Sequence, residues 1–108
     1  PVNGKTELTG NESRSEIDYL RCLYPASAKQ NQILAEEACD LLEYPGSPMY
    51  DEYPDREFLY RELSKVRQRH PEETAGGKEG QDLLQVLFIN EIYRRRILNR
   101  MEKQSSDR

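Results

Sequence analysis

Apolar residues recur along this chain at every third or fourth position and never at every second one over a strand's length, a pattern that predicts helices throughout. Ser13-Arg14-Ser15-Glu16 has the S-x-x-E form of a capping box. Ile17, Leu20 and Tyr24 follow it, predicting a short helix over 14–24 stopped by Pro25. Ser27-Ala28-Lys29-Gln30 is a second such box, and Leu34, Ala38, Leu41 and Leu42 carry a helix on to about Tyr44. Pro45, Gly46 and Pro48 end it. A third helix follows Pro54, with Asp55 and Glu57 as acids in its first turn. Its inner face is Leu59, Leu63, Val66 and His70, and Pro71 stops it. Residues 71–80, with three glycines, read as a mobile loop.

The fourth predicted helix, over about 80–103, has two apolar sides. Leu83, Val86, Asn90, Tyr93, Ile97 and Met101 lie along one, and Leu84, Phe88 and Ile92 along the other. Two apolar sides call for two neighbours, so this helix is expected at the centre of a bundle. Asn90 interrupts the first side. Buried there it would fix helix register; at the edge of the bundle it would have no such role. The fold class expected is all-α: a small bundle of three main helices plus a short N-terminal helix. One domain over 13–103 is flanked by a flexible lead-in (1–12) and tail (104–108).

Composition narrows the function classes. Hydrophobic residues make up 35% of the 108-residue chain, less than in an ordinary globular domain. A net charge of −4 is too small to drive wholesale disorder. The longest apolar run, Leu83–Ile89, is far short of a membrane span. No signal-peptide pattern is visible in the first 30 residues, so a reducing cytoplasm is expected, with Cys22 and Cys39 as thiols. The single histidine, His70, rules out metal sites that need two imidazoles.

Candidate chemistry is sparse. Gly76-Gly77-Lys78 lacks the upstream glycine, the following Ser or Thr and the preceding strand of a phosphate loop, and reads as a hinge. Glu36, Glu37, Asp40 and Glu43 gather carboxylates on one helix, but no Glu-x-x-His faces them. They read as a solvated or ion-paired outer face. His70, in a last helical turn, and Cys39, on a helix flank, read as structural. No acid, base and nucleophile converge, so no catalytic residue, cofactor or metal is expected.

Charge divides unevenly along the chain. Residues 1–54 carry a net −6 and residues 55–108 a net +2. Arg61, Lys65 and Arg69 form an i, i+4, i+8 row, and Arg94, Arg95, Arg96 and Arg100 crowd the end of the last helix. Together they are the surface a nucleic-acid-associated regulator would use. The acidic total, the stabilisation of cations at helix C-termini and the long third-to-fourth connection weigh against that reading. The acidic row of the second helix and these basic rows can equally pair within one chain or between two copies. The linker between helices two and three, with Tyr44, Met49, Tyr50, Asp51, Glu52 and Tyr53, combines rigid aromatic area, stiffening prolines and charge. Those six residues are the candidate protein-contact surface.

Cys39–Tyr44, Gly46–Asp55 and Glu91–Arg96 together resemble a group of small bacterial proteins without assigned activity. The resemblance spans about residues 19–100, is most specific in the linker, and implies a bacterial cytoplasmic setting and nothing catalytic. The expected function is a non-enzymatic interaction or regulatory module. It presents the linker or an outer helix face to a protein partner or to itself, with nucleic-acid binding as the alternative.

Overall fold

A computed structural model of the chain describes residues 10–71 and 77–106, with side chains over 15–71 and 77–103. It contains four helices, α1 (Gly10–Arg21), α2 (Ala26–Asp40), α3 (Arg56–Arg69) and α4 (Gly77–Ser106), and a single 3-10 turn at Pro48–Tyr50. No strand occurs among the described residues, and the chain is an all-α bundle.

The helix boundaries depart from the sequence pattern in instructive ways. α1 begins at Gly10, so Ser13 lies inside it and does not cap it. Its end tightens into i→i−3 bonds, from Leu23 N–H to the Leu20 carbonyl (3.0 Å) and from Tyr24 N–H to that of Arg21 (3.1 Å). α2 starts at Ala26 on Pro25, whose φ of −60° and ψ of 157° supply the extended N-cap geometry without a side-chain bond. Ser27 therefore sits in the first turn, and the second capping box is not formed. α2 also stops at Asp40, before Tyr44; Leu42 and Glu43 wind on as tight turns. Tyr44-Pro45-Gly46-Ser47 then reverses the chain. Proline at the second place and Gly46 at φ +78° meet the needs of a type II turn, closed by Ser47 N–H on the Tyr44 carbonyl (3.1 Å).

Asp55 caps α3, its carboxylate accepting the Phe58 N–H at 2.9 Å. α4 begins three residues before its expected start and runs three beyond its expected end. Helix thus takes in residues 10–12 of the expected lead-in and 104–106 of the expected tail. Residues 1–9, 107 and 108, and positions 72–76 of the expected loop, lie outside the described residues.

The core is built by α2, α3 and α4. Leu34, Ala35, Ala38, Cys39 and Leu42 meet Leu59, Leu63 and Val66 and the Leu84, Leu87, Phe88 and Ile92 stripe, with Met49 closing one end. α2 and α4 lie side by side and run the same way: Gln32 reaches Glu91, and further along Arg95 reaches Asp40 and Glu43. α4 packs chiefly on α2 and also touches α1 and α3, while α2 packs on both α4 and α3, so the middle of the bundle is this pair and not α4 alone. α1 adds no fully buried apolar side chain and lies against the outside of this three-helix core.

One expectation about α4 is corrected. Its Leu84–Phe88–Ile92 side is buried as expected, but the Leu83–Met101 side is not sandwiched along its length. Val86, Asn90 and Tyr93 are exposed. α1 borders only the C-terminal half of that side, where Ile17, Leu20 and Tyr24 meet Asn90, Tyr93 and Ile97. Asn90 stands on the exposed rim and does not fix a buried register. Among the residues of α4, the buried polar group is Glu91.

Candidate interaction surface

The linker residues divide into structural and exposed sets. Met49 is fully buried, so its side chain is core and not contact surface. Its N–H is held by the Ser47 hydroxyl (3.1 Å) and its carbonyl by the Arg96 guanidinium (2.9 Å). Arg96 also donates to the Asp51 carbonyl, so one side chain of α4 pins the linker at two points. Tyr50 is half-buried and donates its hydroxyl to Glu43 at 2.7 Å; burial and that carboxylate push its pKa up. Tyr44, Asp51, Glu52 and Tyr53 remain exposed.

The basic residues divide the same way. Arg94 and Arg95 both donate to Glu91 at 2.7 Å, and Arg95 also reaches Asp40 (2.8 Å) and Glu43 (3.3 Å). Burial works against the Arg95 charge, but the bonds from Glu91 and Asp40 outweigh it and raise its pKa. Lys65 pairs with Glu62 (2.9 Å) and Arg69 with Glu37 (3.2 Å). Arg61 and Arg100 are exposed. Of the seven cations that could track a phosphate backbone, three are committed inside the bundle. The acidic row of α2 pairs within the chain: Glu36 with Arg21, Glu37 with Arg69 and His70, Asp40 and Glu43 with Arg95.

Sequence spacing did not single out the centre of this network. Glu91 is completely buried, and its oxygens take bonds from Arg21 (2.8 Å), Arg94, Arg95 and Gln32 (3.4 Å). Burial pushes the carboxyl upward, yet the three guanidinium donors overcome this and hold it below the ordinary value of 4.5. Its signal in the sequence was a glutamate seven residues after Leu84, on the core side, followed by three arginines. Arg21 belongs to α1, so this carboxylate ties α1 to the α2–α4 pair. A polar cleft of about 390 Å³ beside it is walled by Asp40, Glu43, Tyr50, Arg94, Arg95 and Glu102. Its walls are largely the charges paired above.

His70 Nε2 lies 3.2 Å from Glu37, a partner 33 positions away, and caps α3. Gly77 opens α4 at φ +59°. Among the described residues no group of three or more His, Cys, Asp and Glu is arranged to hold a metal ion. The Cys39 thiol is pushed up to about 12, chiefly by burial, whereas Cys22 is exposed. A thiol reagent is therefore expected to modify Cys22 rapidly in the native protein and Cys39 only on unfolding. Equal rates at both positions would mean that α2 opens readily.

An exposed apolar strip lies on the outside of α4, and Tyr19, Leu20 and Leu23 form another exposed set at the end of α1. Val86, Ile89 and Tyr93 are 54%, 43% and 60% exposed, at successive spacings of three and four residues. That puts them on one strip, opposite the buried Leu84–Phe88–Ile92 stripe. Tyr93 also forms the rim of an open, mostly apolar groove of about 420 Å³ between α1 and α4, where Ile17, Leu20 and Tyr24 face Ile97 and Leu98. Sequence spacing placed Val86 and Tyr93 in an interior row and left Ile89 in neither row. Among the described residues, no helix is long and apolar enough to cross a membrane. Comparison with models of known families, with curated proteins and with solved structures finds no match.

Proposed function

We propose that this chain is a non-enzymatic protein-interaction module of a bacterial cytoplasm, and that its working surface is the outer face of α4 with the adjoining α1 groove. The observation that carries this reading is the exposure of Val86, Ile89 and Tyr93 on a helix whose opposite side is the core. Contiguous exposed apolar patches rimmed by polar residues are the mark of contact sites. Tyr44 and Tyr53 on the linker form a second, smaller exposed set. The nucleic-acid alternative draws less support, because Arg94, Arg95 and Arg96 are held by Glu91 and by linker carbonyls. A catalytic reading draws none from the buried neutral thiol of Cys39 or the surface His70–Glu37 pair.

The test is capture from a bacterial lysate at low and moderate salt, comparing the wild type with V86S/I89S/Y93S. The expected result is protein retained at both salt concentrations by the wild type and lost by the triple variant, whose circular dichroism is unchanged. Retention of nucleic acid that falls steeply between the two salts would overturn the reading.

A further inference from the structure

We propose that the outer face of α4 pairs with the same face of a second copy of this chain, the two helices running antiparallel. This rests on the interaction-module reading and supplies its partner. The strip opposite the core side of α4 reads Asp82, Val86, Ile89, Tyr93, Arg96 and Arg100, at spacings of four, three, four, three and four. That rhythm keeps all six in one continuous seam along the helix, the spacing by which two helices pack side by side.

The order of the residues in the seam selects the partner and its direction. One end is acidic, the middle apolar and the other end basic. A two-fold axis level with residue 91 sets Ile89 against Tyr93 of the second copy, Val86 against the alkyl stem of its Arg96, and Asp82 against its Arg100. Every position in the seam is then matched by another in the seam, as a two-fold interface requires. A parallel pair would instead set Asp82 on Asp82 and Arg100 on Arg100.

The end charges are available for this. Asp82 is exposed and makes only a loose pair with Lys78 (3.4 Å, both side chains largely solvated). Arg100 is exposed with no ion-pair partner among the described residues. Arg96 is half-buried with Nη1 held by the linker carbonyls, so in the proposed pair it contributes its alkyl stem and not its charge. α1 borders the Asn90–Ile97 side and meets the seam only at Tyr93, which forms the rim of the α1–α4 groove and is still 60% exposed. From Asp82 to Arg100 the helix rises about 27 Å. Stable complexes bury roughly 1,200 Å² or more in total, and a seam of one helix from each copy is expected to give a weak dimer that loosens with salt.

Sedimentation equilibrium of the purified full chain, reduced to keep Cys22 from cross-linking, tests the pairing from about 10 μM to about 1 mM, a range that brackets a weak association. The expected result is a monomer–dimer equilibrium. Asp82→Arg and Arg100→Asp should each weaken it about fivefold to tenfold, since each change acts twice across the axis. The double variant should return to near the wild-type constant, and Tyr93→Glu should abolish dimers with helicity unchanged. A strict monomer at the highest concentration would overturn the proposal, as would a dimer indifferent to Tyr93→Glu or one in which the double charge swap fails to restore binding. A monomer that still captures a protein through Val86, Ile89 and Tyr93 would sink the self-pairing alone and leave the interaction reading standing.

Discussion

Replacing Glu91 with alanine is expected to lower the unfolding free energy by about 3–5 kcal/mol, the cost of removing one partner from a buried ionic cluster. Arg21, Arg94 and Arg95 would keep their charges in positions 14–19% exposed and lose the carboxylate they share. For a domain of this size that is a fall in Tm of at least about 12 °C, read by circular dichroism. A loss under about 1 kcal/mol would show that water solvates the guanidiniums and that the cluster is not an ionic core. Acid titration provides a second readout. The carboxyl is held below its unfolded value of 4.5, so its contribution is complete above that pH and is lost as pH falls through the folded value. Glu91→Gln should therefore flatten the acid limb of the stability profile, relative to wild type, below about pH 4.5. An unchanged acid limb would mean that the charge of Glu91 is not what the arginines hold.

Met49→Ala should cost about 2–5 kcal/mol, the range for truncating a fully buried large side chain. Met49 is fully buried in the core cluster, and its backbone is held on both sides by Ser47 and Arg96, which limits how far the segment can collapse into a cavity there. Tyr53, three positions past the end of the 3-10 turn, is 85% exposed. Tyr53→Ala should change stability by less than about 0.5 kcal/mol, as surface changes usually do. Urea denaturation of the two variants in parallel decides whether the linker is seated as described. A silent Met49→Ala with a destabilising Tyr53→Ala would reverse the assignment of inside and outside along this segment.

The helical spacing of apolar residues was enough to identify α3 and the Leu59, Leu63 and Val66 part of its inner face, but His70, expected on that face, is the half-exposed C-cap and pairs with Glu37. The spacing also found the Leu84–Phe88–Ile92 stripe. It failed where two local signals competed. Both S-x-x-E/Q boxes were present, yet α1 begins earlier and α2 begins on Pro25, whose ring already sets the geometry a cap must adopt. The candidate contact residues of the linker were legible only as a set. Nothing local separates Met49, buried, from Tyr53, exposed; the difference comes from where the type II turn at Gly46 aims the chain and from Arg96 reaching across from α4.

The amino-acid sequence by itself determined that this protein is helical, where its core stripe on the last helix runs and that its acidic and basic rows are separated along the chain. Those properties depend on neighbours three or four residues apart, which the sequence lists directly. The tertiary structure decided that the rows meet within one chain, that Arg21 and Glu91 pair across 70 positions, and that Val86 and Tyr93 stand exposed on the outside of α4. Coulombic pairing and burial depend on which helices lie side by side, and that distance is set by packing, not by separation along the chain.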